Sequence, residues 1–210
     1  MNSIEALHWR YATKQFDATK KLSADQLELV KESLRLAPSS FGVQPWKFFI
    51  ISNATLREQL RAAGYGQPQI TDASHLVVFT VPTNIDSAYV DQFINHVAEI
   101  KGISEDLLKG YGDMIKGKIS SMTPAAATEW AARQAYIALG TLLTSLAHES
   151  IDAAPMEGFD PAQFDELLGL PAQQLTTVVI AAVGFRSADD AAATMPKMRF
   201  AQGDVIVELE

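Results

Sequence analysis

Four short stretches, far apart in the chain, carry groups that can act on a small anion. Arg10-Tyr11-Ala12-Thr13-Lys14 and Pro196-Lys197-Met198-Arg199 contribute two guanidinium and two ammonium groups. Guanidinium forks bind phosphate bidentately, and each charge-assisted hydrogen bond contributes on the order of 1.5–3 kcal/mol. Pro38-Ser39-Ser40-Phe41-Gly42-Val43-Gln44-Pro45-Trp46 places two hydroxyls after a proline, and Pro155-Met156-Glu157-Gly158 ends in a glycine that lets backbone N–H groups approach a ligand closely. Read one at a time, they are solvated cations, a loop and an ordinary turn. Together they match the needs of a small molecule that is phosphorylated, planar and anionic.

Composition narrows the field. The chain has 210 residues, 48% hydrophobic and 20% charged, which suits one folded domain with a substantial core. A net charge of -8 opposes binding to nucleic acid over a broad surface, so a local cluster of Arg10, Lys14, Lys197 and Arg199 suits one small anion instead. There is no cysteine, which excludes disulfides, thiolate zinc sites and cysteine nucleophiles and fits a reducing, cytoplasmic setting. No signal-peptide pattern opens the chain, and no apolar run approaches the roughly 20 residues of a membrane helix. G-x-G-x-x-G, G-x-x-x-x-G-K-[ST] and G-x-S-x-G are all missing. His8, His75, His96 and His148 are scattered without metal-ligand spacing, and Asp189-Asp190 reads as a solvated loop.

In this order and at these separations the four stretches resemble the FMN-dependent nitroreductase family, and the resemblance runs over essentially the whole chain. It implies an α+β fold: a nitroreductase-like three-layer sandwich over residues 1–210, with a central, mostly antiparallel sheet flanked by helices and a C-terminal strand exchanged across a homodimer. The implied activity is that of an FMN oxidoreductase that takes electrons from NAD(P)H and passes them to nitroaromatics, quinones or similar small-molecule acceptors, by ping-pong hydride transfer at flavin N5. A dihydropteridine or flavin reductase of the same fold, or a non-catalytic flavin-binding or interaction protein, stands as the alternative.

The resemblance also implies a site. Arg10, Lys197 and Arg199 would hold the FMN phosphate. Lys14 would lie by the N1/C2 edge, where negative charge develops on reduction, and the backbone N–H groups of Glu157 and Gly158 would face N5 and O4. Those three are the catalytic assignments, and Tyr11, Ala12, Thr13, Pro38, Pro155 and Met156 complete the cofactor contacts. Ser39 and Ser40 would reach the flavin from the second subunit. The chain departs from the family pattern at Ala12, where many relatives have serine, and at Gly66, where relatives often have an asparagine touching the pyrimidine. Gln67 or Gln69 is left to supply that amide.

The elements that must position these residues follow from caps and periodicity. Ser3 can cap a first helix with Ile4, Leu7, His8 and Tyr11 on one face, and Ser23 with Gln26 forms a capping box for a second, with Leu27, Val30, Leu34 and Ala37 inward. Trp46–Ile51 reads as a buried strand, Asn53 caps a helix, and Leu76–Val81 is a second strand. Helical spacing runs from Asp86 to about Lys101 and, less regularly, from Ser104 to about Met122. Thr123-Pro124 then starts a helix of roughly 40 Å reaching about Ser150 and apolar nearly all round, which points to cover from a partner chain. Asp160-Pro161 starts a short helix with Phe164, Leu167 and Leu168 inward. Thr176–Val183 is a strand buried on both faces, and the β-rich tip Val205–Leu209 needs an edge to pair with.

Overall fold

Two near-continuous apolar runs set the architecture. In the computed structural model, which describes residues 1–210, they are the strands β2 (His75–Pro82) and β4 (Leu175–Gly184), paired antiparallel at the centre of one sheet. β1 (Lys47–Ile51) pairs with β2 and β3 (Asp152–Met156) with β4, both antiparallel, giving the order β1-β2-β4-β3. Because successive side chains of a strand point to opposite faces, Val77, Phe79, Val81, Val179, Ala181 and Val183 enter one core while Leu76, Val78, Ile180 and Ala182 enter another.

Helices cover both faces. α2 (Ala24–Arg35), α5 (Ser87–Lys101), α6 (Lys109–Ser120) and α7 (Pro124–His148) close the first core, and α3 (Ala54–Ala63), α4 (Gln69–Asp72) and α8 (Pro161–Leu167) the second. α1 (Ser3–Trp9) packs on α7 through Ala6, and a single turn, α9 (Gln202–Val205), lies near the end. The result is the three-layer α+β arrangement expected from the sequence. Ser23 and Gln26 form the reciprocal box read from the sequence, Asn53 and Thr123 each accept a first-turn N–H at the helix starts read there, and Asp86 caps α5 in the same way. No helix is long and apolar enough to cross a membrane.

Several expectations need correcting. The first helix is capped by Asn2 and not Ser3, since Asn2 and Glu5 exchange side-chain to backbone hydrogen bonds of 2.9 Å each, and its Ile4 and Leu7 stay exposed. The strand from Trp46 begins at Lys47 and is an edge, so only Ile51 is buried. Leu167 faces outward. The long helix stops at His148, because Ser150 adopts a positive φ of 55° and the chain reverses into β3. Along that helix Tyr136 and Ile137 remain exposed, and the tip expected as a strand is unpaired in the single chain, with Leu209 92% exposed.

Candidate functional site

Helix α1 ends at Trp9 with Arg10 as its C-cap, and the chain then runs along the β3 edge of the sheet, where Ala12 makes a parallel bridge with Ala153. Two buried carboxylates hold it there. Asp152 accepts from the Arg186 N–H and from Arg186 Nε, both at 2.8 Å, while the same guanidinium stacks over Trp9 at 4.2 Å and Tyr11 at 4.6 Å. Thr13 is fully buried beside Asp152, with its hydroxyl 3.5 Å from Oδ1, so its side chain faces the protein interior.

The second carboxylate is Asp190, and it is no solvated loop residue: it is 3% exposed. One of its oxygens accepts from the Lys14 N–H at 2.9 Å, the Gln15 N–H at 3.2 Å and the Tyr11 hydroxyl at 2.8 Å, and the other from the Ala192 N–H at 3.0 Å. Burial alone would raise its pKa, but these donors outweigh it and hold the carboxyl below its ordinary range. Tyr11 is pushed up to about 12, first by burial and then by Asp190, so its hydroxyl stays a donor.

This scaffold brings Arg10, Lys14, Lys197 and Arg199 to one cleft of about 760 Å³, together with Tyr11 and Ala12. None of the four cations pairs with a carboxylate. The Lys197 ammonium donates to the Arg10 carbonyl, which ties the end of the chain to its beginning. Arg10 and Lys197 both have lowered pKa values, by burial first and then by repulsion from neighbouring cations, including Arg199 in each case. Uncompensated like charges facing one cleft are the arrangement an anion would relieve.

At the other end of β3, Pro155 and Met156 complete the strand and the chain leaves the sheet at Glu157 and Gly158. Four residues of strand at 3.3 Å each put Glu157 roughly 13 Å beyond Ala153, the partner of Ala12. Both residues are exposed, and neither N–H has an acceptor within the chain. The Gly64–Gln69 loop lies alongside. Gln67 Nε2 donates to the Gly158 carbonyl at 2.6 Å and to the Gly64 carbonyl at 3.0 Å, whereas Gln69 keeps a buried Oε1 with no partner. Gly66 has φ +75° with open space where a Cβ would sit, so the left-handed turn and not crowding favours glycine. From α7, the Tyr136 hydroxyl donates to Glu157 Oε1 at 2.5 Å, and both residues line a hollow of about 420 Å³ with Leu139, Leu143, Met156 and Val179.

The remaining assigned residues lie elsewhere in this chain. The Pro38–Ser40 stretch packs on the middle of α7, with the Ser40 N–H donating to Gln134 Oε1 at 2.9 Å and Ser39 Oγ accepting from the Gln44 N–H at 2.9 Å, and none of it lines the cationic cleft. Sequence reading assigns no role to Trp9, Tyr136, Asp152 or Arg186, and it misreads Asp190 as solvated. Only Asp190 left a local signal: an aspartate two residues before Ala192, in front of Ala-Ala-Ala-Thr, is a helix-capping pattern, and it does cap that 3-10 turn.

The model of the Nitroreductase family matches residues 7–185. The chain is 32% identical over 221 residues to the oxygen-insensitive NAD(P)H nitroreductase of Enterobacter cloacae, covering 99% of this chain and 100% of that protein. It is 34% identical over 214 residues to the Bacillus subtilis protein YfkO, provisionally named an NAD(P)H nitroreductase, covering 97% and 95%. Among solved structures, a nitroreductase-fold protein from Exiguobacterium sibiricum in complex with FMN superposes with a TM-score of 0.82 at 21% identity, covering 100% of this chain and 98% of that one.

Proposed function

This chain belongs to the nitroreductase family, and on that premise we propose that it is an FMN-dependent NAD(P)H oxidoreductase that reduces nitroaromatics, quinones or similar planar acceptors. The observation that carries this reading is the cleft of four cations without a carboxylate, joined along β3 to two backbone N–H groups without an acceptor. These residues fit FMN. Arg10, Lys197 and Arg199 would grip the phosphate, Lys14 would face the N1/C2 edge, and the Glu157 and Gly158 N–H groups would orient the ring at N5 and O4. Gln69, whose amide is uncommitted, would serve the pyrimidine edge that Gly66 cannot reach. FMN itself supplies the centre that accepts hydride from NAD(P)H and passes it on. Ser39 and Ser40 would complete each site from the second subunit of a homodimer.

The absorbance spectrum of the purified protein tests the reading directly. Stoichiometric flavin colour, bleached by NAD(P)H and restored by a quinone or nitroaromatic, is expected; a colourless, monomeric protein that NAD(P)H leaves unchanged overturns it. Two substitutions separate grip from chemistry. Arg199→Ala removes a charge-assisted phosphate contact and should raise the FMN Kd about tenfold to a hundredfold, with the loaded fraction still reduced at near-normal rate. Lys14→Ala should do the reverse, slowing reduction by NAD(P)H about tenfold while leaving the Kd within about threefold, because the charge it faces develops only as the ring is reduced. Fluorescence titration and stopped-flow reduction read the two quantities separately.

A further inference from the structure

We propose that Gln67 and Tyr136 are positioning residues that hold the Glu157–Gly158 segment with its N–H groups turned outward; the inference deepens the FMN reading and rests on it for its consequence, though not for its geometry. The problem they solve is visible in the backbone. Past Met156, which pairs with Ile180, the chain has no sheet partner, and Gly158 has no side chain to anchor it. The outward N–H groups have no acceptor in the chain, so nothing they bind within it can orient them.

Peptide planarity transmits the orientation from elsewhere. A carbonyl and the following N–H share one plane and point opposite ways, so fixing either fixes both. Gln67 pins the Gly158 carbonyl at 2.6 Å, which sets the Phe159 N–H of the same plane. The Phe159 N–H donates to the Glu157 carbonyl at 3.0 Å. That carbonyl shares its plane with the Gly158 N–H, which is thereby turned away from the turn. One residue back, the Tyr136 hydroxyl holds the Glu157 carboxylate at 2.5 Å from α7, so the segment is fixed from both sides.

Gln67 is itself well held for this task. It follows two left-handed residues, Tyr65 at φ 56° and Gly66 at φ 75°, and its second amide hydrogen is committed to the Gly64 carbonyl at 3.0 Å. A side chain with both hydrogens engaged works as a strut. The neighbouring Gln69, with its unpartnered Oε1, is not so engaged.

Gln67→Leu keeps the volume and removes both donors. In the FMN-free protein, hydrogen exchange of the Phe159 amide should speed about tenfold, because the plane it belongs to loses its anchor. In the loaded protein, reduction by NAD(P)H should slow about tenfold while the FMN Kd stays within about threefold, since the phosphate cleft is untouched. Tyr136→Phe, which retains the ring packing, should shift the same two readouts in the same direction by about threefold and serves alone if Gln67→Leu does not fold. Unchanged Phe159 exchange in both variants overturns the proposal, as does an FMN Kd that worsens as much as the rate, which would make Gln67 a direct ligand. If the wild-type protein takes up no FMN, the functional reading fails on its own, and the Phe159 exchange still decides the clamp.

Discussion

Asp190→Ala should lower the melting temperature of the FMN-free protein by about 6–12 °C and abolish FMN uptake at micromolar concentration. Four donors from two distant segments converge on this carboxylate, and alanine leaves all four facing a buried hollow. A buried donor left without a partner costs about 1–3 kcal/mol. Even with water reaching some of them, the loss is on the order of 3 kcal/mol, and a chain of this length loses about 2–4 °C per kcal/mol. FMN uptake goes with it because Asp190 is what holds Tyr11, Lys14 and Gln15 against the segment that leads to Lys197 and Arg199. Asp190→Asn should be intermediate: its amide oxygen can keep the three donors on one side, but its NH2 then faces the Ala192 N–H. The sign of the pH dependence follows from a depressed pKa. Such a carboxyl stabilises the fold fully above its ordinary range near 4 and loses that contribution only as the pH falls through its lower folded value. The deficit of Asp190→Ala should therefore be constant from about pH 5 to pH 8. Thermal melts across that range and an FMN titration check it, and a variant that melts within about 2 °C of wild type and binds FMN normally would remove the clamp from the account.

What the chain discloses before folding, and what it withholds, divides along a physical line. The central strands and the long helix are legible because periodicity and caps are local: Thr176–Val183 can be buried on both faces only at the centre of a sheet, and Thr123-Pro124 can hardly be anything but a helix start. The cations of the site are legible as motifs. Their supports are not, because Asp190 meets Tyr11 across 179 positions, Asp152 meets Arg186 across 34, and Gln67 meets Gly158 across 91. Each of these pairings joins residues whose contact no local pattern shows until the fold brings them together. The reading of Asp189-Asp190 as solvated failed for that reason, since local polarity predicts exposure unless distant donors are waiting. The misplaced cap at Ser3 is a smaller failure of the same kind, where two adjacent residues could each cap and only the reciprocal bond to Glu5 selects Asn2.

The Gln67 and Asp190 contacts also explain how an exposed site can be precise. Every group proposed to touch the flavin lies on a loop or at the end of an element: Arg10 and Lys14 beyond α1, Gly158 beyond β3, Lys197 and Arg199 in the irregular tail. Loop residues hold their geometry only if buried partners fix them. Here Asp190 supplies a buried carboxylate and Gln67 a half-buried amide, and each ties one of the site's loops to a segment distant in sequence.

Deleting residues 200–210 should lower dimer stability and FMN retention together. The single chain leaves apolar groups uncovered: Ile4 and Leu7 on α1, Tyr136 and Ile137 on α7, and Phe200, Val207 and Leu209 in the tail. An apolar surface of this kind is an aggregation liability unless a partner covers it, and obligate interfaces bury on the order of 2,000–5,000 Å². The Ser39-Ser40 stretch points the same way, because it is absent from the cleft of its own subunit and would reach a flavin only across an interface. If the tail clamps one subunit to the other, its loss weakens that interface. It also frees the segment carrying Lys197 and Arg199, so the phosphate grip loosens as the dimer does. Sedimentation velocity at low micromolar concentration, read at the protein and flavin absorbance bands, follows both losses in one experiment. The full-length protein should sediment as a flavin-loaded dimer, and the truncated one should show monomer with flavin trailing as free FMN. A well-folded, flavin-loaded monomer from either chain would sink the shared-site arrangement, because a complete site within one subunit needs neither the partner's serines nor the exchanged tail.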